Sequence, residues 1–196
     1  MKRVYSYVVE HDVGFAPNPF WGACTLANCK PKIRKYASVG DLVIGTGSTD
    51  LKATDRLVYW MRISEIISFD SYWSDPRFVR KRPNMYGSMM HRHGDNIYST
   101  AVDGAFLQID SFHSEDDGSL SVGNRKRDTE TTEKVILGTE FAYYGKSAPA
   151  IPEDVRFLVK KGPSHKCRFS EAKREAIEAW LKTLPDRGYI DQPGHW

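Results

Sequence analysis

The sequence predicts an α+β fold: a mainly antiparallel sheet, curved or closed into a small β-barrel, with helices at its periphery. Three observations predict it. Val39–Ile67 reads as a hairpin, with turn chemistry at Val39-Gly40-Asp41, a short β-rich run Leu42–Thr46, a Gly45–Ser48 breaker cluster, and a long apolar run Arg56–Ile67. Arg3–Glu10 alternates and is rich in Val and Tyr, which puts Tyr5, Tyr7 and Val9 on one side of a strand. The C-terminal region carries a capped amphipathic helix, with Ser170 as N-cap, Ile177, Trp180, Leu181 and Leu184 as its stripe, and Pro185 as its stop.

The elements between these anchors follow in order. In His11–Cys29, Gly14, Pro17, Pro19 and Gly22 forbid a long regular element, while Phe15, Phe20 and Trp21 are too apolar for a free loop. A structured loop presenting aromatic side chains is expected. Pro31 suits the first turn of a short helix over Lys32–Ala37. After the hairpin comes an aromatic, basic connection with a helical turn near Ser71–Phe78, then two short strands, Ile97–Ser99 and Ala105–Asp110, around the Asp103-Gly104 turn. His113–Thr132 is almost wholly polar and reads as a functional loop. Lys134–Leu137 returns to a strand. One domain is expected over 1–196, with a core in 1–152 and a helical extension, 153–196, packed on it.

Composition narrows the function classes. The three cysteines, Cys24, Cys29 and Cys167, lack framework spacing, which fits a reducing cytoplasm better than export. Neither a signal peptide nor a membrane span is indicated. The net charge of +3 is unevenly spread: Lys30, Lys32, Arg34 and Lys35 form one basic cluster, Arg77, Arg80, Lys81, Arg82 and Arg92 another, and Asp103–Asp117 is acidic. Phosphate contacts are assigned to Lys30, Lys32, Arg34, Arg80 and Arg82. There is no G-x-S-x-G elbow, no P-loop and no zinc-deaminase set, so those hydrolase, NTPase and deaminase classes lack their signatures.

Candidate chemistry sits in the polar middle of the chain. Asp110 and His113 are close enough in sequence to form an acid–base pair, and Asp128 is added to them as a catalytic candidate. Nucleotide contacts are assigned to Asn18, Phe20, Trp21, Thr46, Ser48, Asp95, Asn96, Asn124, Arg127 and Tyr143, since Asn, Asp and Arg pair with base edges or phosphates and aromatic rings stack bases. His91, His93 and Asp95 alternate and would share one face of an extended segment, but no Cys pair completes a zinc set and no metal or other cofactor is expected. Cys24 and Cys29 are spaced poorly for a zinc knuckle and read as buried small hydrophobes.

The words CKPKIRKYASVGDLVIGTGS and RLVYWMRISEIISFDSYWSDPRF resemble the core of PUA-superfamily barrels such as EVE and ASCH domains. FAPNPFWGACTLANCKPKIR, GDNIY, SFHS, NRKRDT and FAYYG, in that order, are similar to the nucleotide modification associated domain of the second type, a bacterial and phage family linked to DNA-base hypermodification. The resemblance implies a nucleotide setting: a protein that binds a nucleotide or a modified base in nucleic acid, within a DNA-modification or phage-conflict system. Two alternatives remain open: an enzyme using Asp110 and His113, and a protein-interaction module whose aromatic loop docks a partner.

Overall fold

The computed structural model describes residues 2–196. The strands are β1 (Val4–Val9), β2 (Cys24–Leu26), β3 (Leu42–Gly47), β4 (Leu57–Arg62), β5 (Glu65–Ser68), β6 (Tyr98–Thr100), β7 (Phe106–Gln108), β8 (Lys134–Gly138), β9 (Glu140–Tyr143), β10 (His165–Lys166) and β11 (Gly188–Tyr189). The α-helices are α1 (Pro31–Tyr36), α2 (Phe69–Ser74), α3 (Met89–Arg92), α4 (Val122–Thr129) and α5 (Glu171–Thr183). The chain is therefore α+β, and it divides into two compact units. The first takes the chain up to Asp12, Ala37–Ser64 and Gly138–Trp196; the second takes Val13–Tyr36 and Glu65–Leu137. None of the helices among the described residues is long and apolar enough to cross a membrane.

The first unit is a sheet of order β10-β1-β3-β4-β9-β11, in which the β1/β3 and β9/β11 pairs are parallel. The β3/β4 hairpin is antiparallel, as its sequence requires. Gly45 is needed there, because a Cβ would stand 2.3 Å from the ring of Tyr59, whose hydroxyl bonds that of Tyr7 at 2.8 Å. Val4, Leu42, Ile44, Leu57 and Trp60 meet Ile177 and Leu181 of α5 in one apolar cluster. The Ser170 side chain caps α5 by accepting from Lys173 N. No barrel closes among the described residues: the sheet ends on the two-residue strands β10 and β11, which do not pair with each other.

The long strand expected over Arg56–Ile67 is two strands in two different sheets. β4 stops at Arg62, whose guanidinium is drawn off to Glu140 at 3.1 Å and Glu178 at 2.6 Å. Ile63 then closes on the Gly40-Asp41 turn, donating to Asp41 O and accepting from Gly40 N. Past the exposed Ser64 the chain enters the second unit, where Glu65–Ser68 pairs with β8. The polar residues that look like single interruptions of one strand mark the change of sheet.

The second unit holds the β2-β8-β5 sheet, the β6/β7 hairpin and an aromatic cluster of Phe15, Phe69, Tyr72, Phe78, Ile97 and Tyr98. Of the aromatics in the loop after Asp12, Trp21 is half-buried, but Phe15 is 2% and Phe20 1% exposed, so these two are core rather than presented. The loop is tied inward by Asn18, which exchanges backbone hydrogen bonds with Thr25 and whose amide donates to Gly14 O and His93 O. Beneath it the buried Lys81 ammonium shares its three N–H groups among Asn18 O, Asn18 Oδ1, Ala23 O and Thr25 Oγ1, all within hydrogen-bond distance. Burial pushes that ammonium down to about 8, with the nearby Asp95 carboxylate opposing the fall. Inside the segment expected to be loop lies α4, whose buried residues are the polar Asp128 and Thr129.

Candidate active site

Asp128 is fully buried, and a buried carboxylate persists as an anion only if its lone pairs are satisfied. Four donors do this in the second unit. Oδ1 accepts from Cys29 N at 2.8 Å and Arg127 Nε at 3.2 Å; Oδ2 accepts from Tyr98 Oη at 3.1 Å and lies 2.8 Å from His113 Nδ1. Burial alone would raise the Asp128 carboxyl, but the His113 hydrogen bond and the His113 and Arg127 charges outweigh it and hold it below the usual range. Burial and the same carboxylate push the Tyr98 phenol up.

His113 is fixed from backbone to ring. Its N–H donates to Ser111 Oγ, and its carbonyl accepts from Gln108 Nε2 and Asn124 Nδ2. Phe15 packs edge-on against the imidazole, with centroids 4.4 Å apart. With Nδ1 turned to Asp128, Nε2 points to Cys29 Sγ at 3.7 Å. Burial pulls the imidazole down, but the hydrogen bonds to Asp128 and Cys29 prevail and leave it raised above 6.5. Arg127 Nη2 lies 3.3 Å and 3.1 Å from the two ring nitrogens, and one donor cannot lie along two lone-pair directions that diverge in the ring plane, so the guanidinium covers the ring face.

Cys29 occupies the turn between β2 and α1. Both it and Lys30 adopt left-handed backbone, with φ of 57° and 41°, a conformation that costs a non-glycine residue about 1–3 kcal/mol. The surroundings enforce the turn: Asp128 takes the Cys29 N–H, Arg34 Nε donates to Cys29 O at 2.9 Å, and Pro31 opens α1 immediately after. A strained turn from strand to helix is also how serine hydrolases lift a nucleophile out of the backbone. The buried Arg34 guanidinium also donates to Lys134 O and Asp128 O, and burial draws it down to about 10 against the pull of Asp128. A half-exposed thiol, a base within reach of it, and a carboxylate orienting the base make a constellation suited to nucleophilic catalysis.

The structure brings some of the expected site residues together and separates others. His113, Asp128, Asn124 and Arg127 converge, with Asn124 positioning the His113 carbonyl. Asp110 is exposed and is not among the partners of His113. Asp95 accepts from Thr25 and Tyr72, and Asn96 donates to Tyr72 O and Phe78 O, so both are internal braces. Asn18 is engaged by Lys81 and Phe20 is core. Trp21 is half-buried under Arg80, whose guanidinium sits 3.8 Å from the ring centroid; Arg82 lies over Trp73. Lys32 is exposed, Lys30 half-buried, and Arg34 buried as described. Thr46, Ser48 and Tyr143 belong to the first unit, where Thr46 bonds Tyr7 O, Ser48 bonds Glu10 O, and Tyr143 donates to Asp12. Sequence reasoning missed Cys29 and Tyr98; the available signal was a cysteine between a short strand and a proline-opened helix, with His and Asp downstream.

A family model described as nucleotide modification associated domain 2 (Nmad2) matches residues 1–196. The chain belongs to the Nmad2 family. No curated protein and no solved structure matches it. In this Nmad2 chain His91, His93 and Asp95 do not form a ligand set: His91 Nδ1 bonds Ser88, His93 Nδ1 faces Met89 O, and Asp95 is held inside. His11, Asp50 and His195 do lie close enough to share a cation. However, His195 Nδ1 accepts from Asp12 N–H at 3.0 Å, which leaves the ring proton on Nε2, facing Asp50 at 3.2 Å. That nitrogen must lose its proton, or the ring must turn, before a metal can bind.

Proposed function

We propose that this Nmad2 protein is a cysteine-dependent enzyme acting on an acyl-type carbon carried by a nucleotide or nucleobase, within a DNA-modification or phage-conflict system. The observation that carries the proposal is the line from Cys29 Sγ to His113 Nε2 at 3.7 Å and from His113 Nδ1 to Asp128 Oδ2 at 2.8 Å. The thiol gives its proton to His113 Nε2 as Sγ bonds the carbonyl carbon. The imidazolium, stabilised by Asp128, returns that proton to the departing amine or alkoxide, and water activated at the same nitrogen cleaves the thioester and restores the thiol. The net change is one water consumed, one acid and one amine or alcohol released.

Beside this line, Phe112 is 46% exposed with its ring 6.2 Å from that of His113, and the Arg127 side chain is 43% exposed. An aromatic face and a guanidinium suit a base and a phosphate or carbonyl oxygen, which supports a nucleotide substrate. The same pair favours a second reading, a binder of a nucleotide or modified base without turnover. The V-G-D strand and its hairpin support treating the core as a PUA-like relative.

Incubation with nucleotides bearing N-acyl or O-acyl groups, followed by mass spectrometry, separates the readings. Turnover should release the acyl group, and Cys29→Ala and His113→Ala should each abolish release while retaining ligand binding. Release that continues in Cys29→Ala refutes the covalent mechanism. Tight binding with no product from any acylated nucleotide leaves the binder.

A further inference from the structure

The first unit contains an open cleft of about 930 Å³ that lies outside the chemistry described above. Its lining includes Arg156, Lys160, Lys161, Lys166 and Arg168 against two carboxylates, Asp55 and Glu153. Both carboxylates are already taken by one cation: Arg156 lies 2.5 Å from Glu153 and 4.0 Å from Asp55. Among the described residues no carboxylate pairs with Lys160, Lys161, Lys166 or Arg168, so their charge is uncompensated in a concave surface, where it focuses the field.

The backbone builds this arrangement. Gly162 and Ser164 both adopt positive φ, 72° and 73°, and reverse the chain, so that Lys160 and Lys161 face the same cleft as Lys166 and Arg168. The returning segment is fixed as β10, where Ser6 pairs with Lys166 and Tyr7 with His165. Lys166 is further anchored to Phe157 O at 2.6 Å, and Phe157, half-buried in the cleft wall, packs on Phe169. Lys160 Nζ likewise donates to the carbonyl of Lys161, and each of these two ammonium groups keeps further N–H donors; Lys161 and Arg168, both exposed, complete the set of cations that a ligand can meet.

We propose that this cleft binds the phosphodiester backbone of a nucleic acid, so that the protein holds a polymer through the Lys160–Arg168 segment. The charge is concave and thus poorly placed for a flat bilayer. It is spread over several side chains, as a repeating anion requires. The inference does not depend on Cys29 chemistry.

Fluorescence anisotropy with single-stranded and duplex oligonucleotides tests it. Affinity should weaken steeply between low and moderate salt, with a log–log slope of about −0.7 to −0.9 per phosphate contacted. The combined Lys160→Glu, Lys161→Glu and Arg168→Glu variant should bind at least about tenfold more weakly with a flatter salt slope. Its circular dichroism and melting should match the parent, because Lys161 and Arg168 are exposed and Lys160 gives up only a hydrogen bond to its neighbour's carbonyl. The exposed Cys167 gives an independent readout, since bound oligonucleotide should protect it from alkylation. Cys29→Ser should leave binding unchanged, which separates failure here from failure of the catalytic proposal. Unchanged affinity in the triple variant, no protection of Cys167, or mononucleotides or anionic vesicles competing as well as oligonucleotide would each overturn the assignment.

Discussion

Asp128→Asn is the most informative perturbation of the candidate active site, because it removes charge while preserving shape. Asp128 serves four donors with two oxygens: Cys29 N and Arg127 Nε on Oδ1, His113 Nδ1 and Tyr98 Oη on Oδ2. Asparagine keeps one oxygen, which the Cys29 N–H and Arg127 will retain because the strained turn depends on it. The new NH₂ then faces Tyr98, whose hydroxyl can reverse to accept, and His113 Nδ1, which must become an acceptor. The imidazole proton moves to Nε2, where it points at Cys29 Sγ, and a nitrogen already carrying a proton cannot take one from the thiol. Three charge-assisted hydrogen bonds, from Cys29 N–H, Tyr98 and His113, become neutral ones of roughly half the strength, so the fold should lose about 3 kcal/mol. In the corresponding serine triad the same wrong tautomer costs about 10⁴ in turnover. Urea melts give the stability loss, ¹⁵N–¹H correlation of the imidazole gives the tautomer, and alkylation of Cys29 followed by peptide mass spectrometry gives thiol reactivity. Parent-like tautomer and parent-like Cys29 alkylation in Asp128→Asn would refute the reasoning.

The pH dependence of that difference follows from the two shifted groups. His113 is raised above 6.5, so its contribution is complete below that value and is lost as pH rises through the folded pKa. Asp128 is depressed, burial notwithstanding, so its contribution is in place above the ordinary 3.8 and is lost as pH falls through the folded pKa. Both charges coexist between these limits. The stability gap between parent and Asp128→Asn should therefore be widest in mildly acidic solution and narrow on either side; a gap constant from acid to alkaline pH contradicts the assignment.

Three further outcomes are expected. Arg34→Ala strands the buried carbonyl of Asp128 and removes the donor to the part-buried carbonyls of Cys29 and Lys134, and should cost about 2–4 kcal/mol in a urea melt, with faster hydrogen exchange at the Cys29 turn; a loss under about 1 kcal/mol would mean that water replaces the guanidinium. Gly45→Ala drives a methyl into Tyr59 and Val9 and should cost about 1–3 kcal/mol by thermal melting, and Tyr59→Leu should rescue part of it. Ser170→Ala removes the cap of α5 and should cost about 1 kcal/mol, with no effect on Cys29 alkylation.

The elements legible in the sequence were those whose residues satisfy their own local physics. The β3/β4 hairpin has a Gly-Asp turn and two apolar runs, α5 has a cap, a stripe and a proline stop, and β6/β7 surround Asp103-Gly104. The site is different in kind. The helix carrying Asp128 has no apolar stripe, because the face it buries is Asp128 and Thr129, and a periodicity argument sees only a polar segment. Asp128 is affordable inside only because Cys29 N–H, 99 residues away in sequence, and Tyr98, 30 residues away, supply donors. Sequence proximity favoured Asp110 as the partner of His113, yet three residues along an irregular chain put Asp110 in solvent while α4 delivers Asp128 from fifteen residues on. Cys29 was illegible for a related reason: burial habit assigns a cysteine to the core, and what distinguishes this one is a left-handed backbone held open by a carboxylate and a guanidinium from elsewhere in the unit. A strained, polar, long-range constellation contradicts every local preference at once, and that contradiction, once the fold is known, is itself the argument for reading the site as functional.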